Sequence, residues 1–517
     1  MKMVKSLVLG SAAALVAMSG AQAADLPVKA KAVEYVRICS LYGAGFFYIP
    51  GTDTCIKLGG YLRVETSFNA TGLYSSNYSG VNGAQNRLSN YYTARSREDL
   101  NIDTRTATEY GVVRTFFDAT FSWTSGTYSG NSVANGGTLY SAALGPNGGT
   151  INPSDGGTSG GALGVYYAFI QFAGFTMGKA VSQFDAPWNN YPGNNFDGLV
   201  GGSGTVTGVN QFTYTAQFGN GVSASISAED QTTYDQASLA NLSVGSLTPG
   251  GLVSGSFGLN DRGGSRSPDI IGQVRVDQAW GLAQLSVAAH DNHAAYFGGT
   301  EPTGHPTDKW GWAVQGALSI KNIPTGPGDT INVQAVYTDG ASRYNFQNLA
   351  PQSFAMYGGT NVPGAYQSVG FAGVADGVFA NGSGISSVQT WGMRGAYTHN
   401  WDPYWNTAIY GAYAQLKYGN GGTAIVCTAI AGLGAAAVGG LTNCNPDFNV
   451  AQVGLVTRWT PVKNLTFSGE VTYTNLDQKF AGVVAVPVAA TVAKPAAVYE
   501  LKDQNTVSLL LRAQRNW

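Results

Sequence analysis

VNQFTYTAQFGNGVSASISAED, residues 209–230, reads as two strands around one turn. Phe212, Tyr214, Ala216 and Phe218 alternate with Gln211, Thr213, Thr215 and Gln217. After Gly219-Asn220-Gly221, the residues Val222, Ala224, Ile226 and Ala228 alternate with Ser223, Ser225, Ser227 and Glu229. A period of two sends one set to each face of a strand, and Asn-Gly favours a hairpin turn. One face suits lipid and the other suits water.

The same pattern extends in both directions. Trp310, Trp312, Val314, Leu318 and Ile320 alternate with Gly311, Ala313, Gln315, Ala317 and Ser319. Leu465, Phe467, Val471 and Tyr473 alternate with Thr466, Ser468, Glu470, Thr472 and Thr474. Continued along the chain, the alternation predicts sixteen strands, at 57–69, 97–108, 111–123, 162–173, 175–184, 209–218, 222–230, 269–278, 282–291, 309–321, 330–339, 387–399, 405–418, 448–459, 464–476 and 503–517. Connections after even-numbered strands are short, such as Glu109-Tyr110 and Ala279-Trp280-Gly281. Those after odd-numbered strands are long, such as 124–161 and 340–386. Outer-membrane barrels place short turns in the periplasm and long loops outside. An all-β, sixteen-stranded antiparallel transmembrane barrel follows, with both chain ends on the periplasmic side. Paired β-sandwiches also alternate, but with shorter strands and turns every eight to twelve residues.

Composition agrees. Charged residues make up 11% and aromatics 12%, with 71 Gly; soluble domains carry roughly 25% charged residues. Trp123, Trp310, Trp312, Trp391, Trp401, Trp405 and Trp459 fall toward strand ends, as interfacial girdles require. The net charge of -2 offers no basic footprint for nucleic acid.

Lys2 and Lys5, the apolar run 7–17 and Ala21-Gln22-Ala23 read as a cleaved signal peptide, residues 1–23. A leader, 24–56, precedes the barrel, 57–517. Beyond the signal no apolar run reaches the length of a membrane helix, and the Ala/Gly-rich run 429–441 reads as a loop. Export permits disulfides, and the four cysteines form two local pairs, Cys39 with Cys55 and Cys427 with Cys444. His290, His293, His305 and His399 show no recurrent ligand spacing, and no Ser has a recognisable His partner. Neither an enzyme nor a metal or other cofactor is expected.

Three segments carry a resemblance: VEYVRICSLYGAGFFYIPGTDTCIKLGGYLR (33–63), REDLNIDTRTATEYGVVR (97–114) and CNPDFNVAQVGLVTRWTPVKNLTFSGEVTYT (444–474). They resemble the outer-membrane general diffusion porins of Brucella and its rhizobial relatives, and Trp517 sits where these end in an aromatic residue. Arg515 departs from the apolar or aromatic residue more usual two positions earlier. The resemblance implies a homotrimer embedded in outer-membrane lipid that passes small hydrophilic solutes and ions passively.

Selectivity in such a channel is electrostatic. Leu62, Val64 and Phe68 facing lipid turn Tyr61, Arg63 and Glu65 inward. Leu100 and Ile102 turn Asp99, Asn101, Asp103 and Arg105 inward; Phe117 and Phe121 do so for Arg114 and Asp118. The tight turn sets Arg105 opposite Arg114, and Arg512 faces inward on the last strand. Arg63, Arg105, Arg114 and Arg512 therefore form an expected basic wall; Arg275, Arg394 and Arg458 also face inward but are dispersed. The third outer connection, after strand five, corresponds by position to the loop that folds into general porins. It offers Asp185 and Asp197 as the opposing acidic side, with Trp188, Tyr191 and Phe196 to pin it. Two alternative readings share the fold: a substrate-selective channel, and a barrel serving adhesion or phage attachment through its loops.

Overall fold

The computed structural model describes residues 37–70, 92–124, 162–230, 232, 234–235, 237–243, 247–256, 258–347, 353–489 and 494–517. The expected signal segment, residues 1–23, and most of the first two long connections lie outside them.

Sixteen strands form the wall. They are β1 (Cys55–Phe68), β2 (Tyr92–Thr108), β3 (Gly111–Thr124), β4 (Ala162–Phe172), β5 (Phe175–Ala180), β6 (Val209–Gly219), β7 (Val222–Glu229) and β8 (Asp269–Gln278). The wall continues with β9 (Gly281–Asn292), β10 (Lys309–Lys321), β11 (Thr330–Asp339), β12 (Gln389–Asn400), β13 (Trp405–Lys417), β14 (Phe448–Val462), β15 (Leu465–Gln478) and β16 (Gln504–Asn516). Each pairs antiparallel with the next, and β16 closes on β1 with Tyr61 opposite Asn516 and Phe68 opposite Leu509. Closure leaves no unpaired edge, a condition for strands that cross lipid.

The alternation appears as a reversal of soluble packing. Leu62, Phe121, Phe212, Ile226, Leu285, Trp310, Ile409 and Val471 are exposed on the outside. Each such side chain left in water would forgo about 1.5–3 kcal/mol, so the band is stable only against hydrocarbon. Gln284, Ser286, Gln315, Gln334, Thr338, Thr390 and Thr474 are buried on the inner face. Among the described residues no helix is long and apolar enough to cross a membrane.

Below β1, Phe47–Tyr48 pairs back onto Cys55 and Ile56, and the Cys39–Cys55 disulfide fastens this hairpin. Above the barrel the long connections fold together. One small sheet joins Ser238–Asn241, Leu259–Asn260, Ala375–Phe379 and Ser386–Ser387. Another joins Phe354–Gly358, Ala365–Ala372, Leu441–Asn443, Ala481–Val486 and Ala497–Leu501. Leu252, Phe371, Val378, Ile430, Val484 and Tyr499 share one apolar core here, continuous with Leu416, Phe448, Val450 and Leu476 at the outer ends of β13–β15. The cap thus covers one side of the barrel mouth.

The run 429–441 is not the loop expected. Gly419–Ala431 is an α-helix and Ala435–Val438 a short second one. Val426 and Ile430, four residues apart, bury one helical face in the cap core, and the Cys427–Cys444 disulfide ties the helix down. The flanking glycines had masked that spacing.

Candidate functional site

β5 stops at Ala180, four residues earlier than its alternation suggests, and residues 181–208 turn into the lumen. The inner wall supplies what a buried backbone needs: partners for its N–H and C=O groups. Gln273 of β8 donates to the carbonyl of Gln183 (2.7 Å), Gln284 of β9 to that of Asp185 (2.8 Å) and Gln315 of β10 to that of Phe184 (2.8 Å). Gln334 of β11 accepts from the Trp188 indole, and Gln452 of β14 from the Val200 N–H at 2.9 Å. Glu229 accepts from the Gln183 N–H at 2.8 Å, and Glu470 from those of Asn195 and Phe196. The buried Arg394 guanidinium donates to the carbonyls of Asn189, Leu199 and Ser203. Gly201 has φ +89°, and a Cβ there would lie 2.3 Å from the Met393 carbonyl, so only glycine allows this close approach. The loop therefore lines β7–β15 and leaves β1–β3 bare on the other side. At its flanks it is touched by Arg512 of β16, which donates to Asn195 O at 3.1 Å, and by Tyr167 of β4, which donates to Val206 O at 2.8 Å.

Trp188 and Phe196 pin the loop as expected, Phe196 packing with Ala70 and Leu510. Tyr191 instead donates to Asp197 within the loop at 2.6 Å.

The bare side carries the charges, arranged differently from the expected wall. β1–β2 register sets Arg63 opposite Arg97 and Cys55 opposite Arg105. Arg105 is eight residues from Arg97, ~26 Å along the strand. Arg105 and Arg114 face each other, as the turn predicts, but share Asp103 at 3.0 Å each near the periplasmic rim. There Arg105 lies over the rings of Tyr42 and Phe46. Only Arg63 and Arg512 of the four stand level with the loop. Arg95 and Arg97 join them there. Arg95 precedes the expected strand start at 97, because β2 begins at Tyr92, and Arg97, at that start, is not among the inward residues expected. Glu65 is held between Arg95 and Arg512. Extending the parity of Asp99 back by two and four residues would have found both.

The acidic pair also divides. Asp185 is buried and accepts from the Thr205 hydroxyl at 2.7 Å and from its N–H, so it braces the loop rather than facing a guanidinium of the bare wall. Desolvation raises its pKa, which the Thr205 bonds only partly offset. Asp197 is the carboxylate whose charge reaches the bare side, acting on Arg97 and Arg512. Arg458, one of the dispersed arginines, donates to Gly193 O at 2.6 Å and to Asn195 Oδ1 at 3.1 Å. Arg275 pairs with Asp277 at 2.8 Å. Among the described residues no cluster of His, Cys, Asp and Glu could hold a metal ion.

Comparison with known proteins bears on this arrangement. The family described as the Porin subfamily matches residues 25–510. Porin Omp2b of Brucella suis is 33% identical over 329 residues, 62% of this chain and 75% of that protein. Porin Omp2b of Brucella abortus is 31% identical over 324 residues, with the same coverage. Among solved structures, the outer membrane channel DcaP of Acinetobacter baumannii aligns over 91% of this chain and 99% of its own, with a TM-score of 0.56 at 14% identity. That likeness is one of fold.

Proposed function

The chain belongs to the Porin subfamily, and on that premise we propose how its channel works. It is an outer-membrane porin through which small hydrophilic solutes and ions diffuse passively. They pass between loop 181–208 and the charged side formed by β16 and β1–β3. The observation that carries this reading is the loop's anchorage inside the barrel along β7–β15, which leaves the charges of β1–β3 unobstructed. Asp197 is the acidic member of the constriction, and Arg63, Arg95, Arg97 and Arg512 are its basic members. Asp185 positions the loop. Arg105 and Arg114 act lower, at the periplasmic mouth.

Residues 1–23 serve as the export signal; the family match begins at residue 25, just after the expected cleavage. The working unit is a homotrimer. Its support is an exterior hollow of about 630 Å³ where small outward residues, Thr66, Ala94, Ser96, Gly469 and Ala513, meet beside Trp459; this fits the flank of a second barrel.

Purified protein in a planar bilayer tests the reading. Large conductance steps in groups of three are expected. Correctly folded protein that gives no steps would overturn it.

A further inference from the structure

Under the tip of loop 181–208, toward the periplasm, lies a hollow of about 330 Å³ into which Arg63, Arg458 and Arg512 converge. Strand register explains the convergence. Arg458 of β14 stands opposite Ser468 of β15, which stands opposite Arg512 of β16. Neighbouring strands are ~4.8 Å apart, so the two arginines flank the Ser468 position on one level. Arg63, opposite Gln514, sits one inward position lower on β1.

The charges in this hollow are incompletely matched. Arg63 lies over the Tyr61 ring, 4.5 Å from its centroid, and uses its Nε to donate to Gln514 at 2.8 Å. Among the described residues its terminal nitrogens have no hydrogen bond and the side chain has no ion pair. Arg458 spends its donors on neutral oxygens of Gly193, Asn195 and Asn406. Arg512 contacts Glu65, which Arg95 shares. Glu470 is occupied by loop N–H groups and Tyr410. The Asn194 and Asn195 amides are engaged with Phe196 O and Ser468 Oγ, and the Asp197 charge reaches only Arg512 among the three. Three forked donors against one shared carboxylate therefore make a receptor for oxygen anions.

We propose that this hollow is a binding subsite for a small oxyanion, held through carboxylate or phosphate oxygens on the periplasmic side of the loop. The proposal rests on the channel reading. The surplus guanidinium charge concentrates the anion, and the two free nitrogens of Arg63 grip it. Arg458 serves both the anion and the loop, coupling occupancy to the constriction.

The test is the chloride current of single channels titrated with inorganic phosphate, and separately with acetate, at fixed ionic strength. Wild type should show saturable inhibition. Inhibition by both probes assigns a shared oxyanion site, and by phosphate alone a phosphate site. Arg63→Gln should weaken it about tenfold, as loss of a charged hydrogen bond implies, and Arg63→Lys should restore part of it. Arg275→Gln, paired with Asp277 far from the hollow, should leave the inhibition unchanged. If Arg458→Gln loosens the loop, Arg63→Gln alone decides, because Arg63 holds no loop atom. Wild-type steps that neither probe inhibits, or equal inhibition in Arg63→Gln, would overturn the subsite. The presence of steps reports separately on the channel itself.

Discussion

The two sides of the lumen come from the same alternating pattern but use it differently. On the side from β8 to β14 the inward side chains include Gln273, Gln284, Gln315, Gln334 and Gln452, and each bonds to loop 181–208. On the side of β16 and β1–β3 the inward side chains are charged and bond mainly to one another, as in Arg95–Glu65–Arg512 and Arg105–Asp103–Arg114. An amide can both donate and accept, which suits a partner whose backbone presents N–H and C=O groups in turn. A charge suits water and passing ions. Period tells which face is inward; residue type tells what that face meets.

The largest effect should come from breaking the covered side at Arg394. Arg394→Met keeps the bulk but strands the carbonyls of Asn189, Leu199 and Ser203. A loss of about 3 kcal/mol or more is expected. Denaturant titration in detergent measures it, and single-channel records should become noisier as the loop moves. Unchanged stability and quiet channels would mean that the loop is held by its amide row alone.

Next in size is the cap above that side. Cys427 and Cys444 close a loop of 17 residues, and such a link stabilises by about 3 kcal/mol in the chain-entropy account. The double Cys→Ser variant should expose residues 419–447 to protease while conductance steps persist. Loss of steps would show that cap and barrel fold as one unit.

Much of this was legible in the sequence and some was not. Alternation with short and long connections specified sixteen strands, because one residue of slip would turn every apolar side chain inward. The turn at Glu109-Tyr110 specified the pairing of Arg105 with Arg114. Height along the barrel was not legible: parity assigned Arg105 and Arg63 to one wall, whereas register separates them. The glutamine row was present in the sequence but looked like ordinary lumen polarity. The cap was hidden because its strands are short and its core joins connections far apart in the chain.

A smaller effect should separate cap from barrel through pH. Lys494, in the connection between β15 and β16, is buried over the Tyr357 ring and donates to Gln367 at 2.6 Å. Desolvation lowers its pKa to about 7, against roughly 10.4 in an unfolded chain. The unfolded chain therefore binds more protons between these values, so cap stability rises with pH across that window and is lost as pH falls through 7. Hydrogen exchange of residues 354–372 should show greater protection at pH 9 than at pH 6. Lys494→Met should flatten the difference, while barrel strands show no such trend in either protein.

The smallest effect is the one that separates the two acidic residues of the loop. Asp197 lies within electrostatic reach of Arg97 and Arg512, whereas Asp185 is turned into the loop against Thr205. Asp197→Asn removes a negative charge from the constriction, so reversal potentials in a salt gradient should move toward anions, by about twofold in permeability ratio for one partly screened charge. Asp185→Asn should leave the ratio in place, because a buried carboxylate bonded on the loop's inner side contributes little field to the passage. Its signature lies in stability. Its raised pKa means that the folded loop favours the neutral acid, so this contribution is full below the unfolded value near 3.9 and fades as pH rises through the folded pKa. The neutral Asn should remove that dependence. Equal shifts in permeability from both variants would place Asp185 in the passage and erase the distinction between the side that holds the loop and the side that meets the ions.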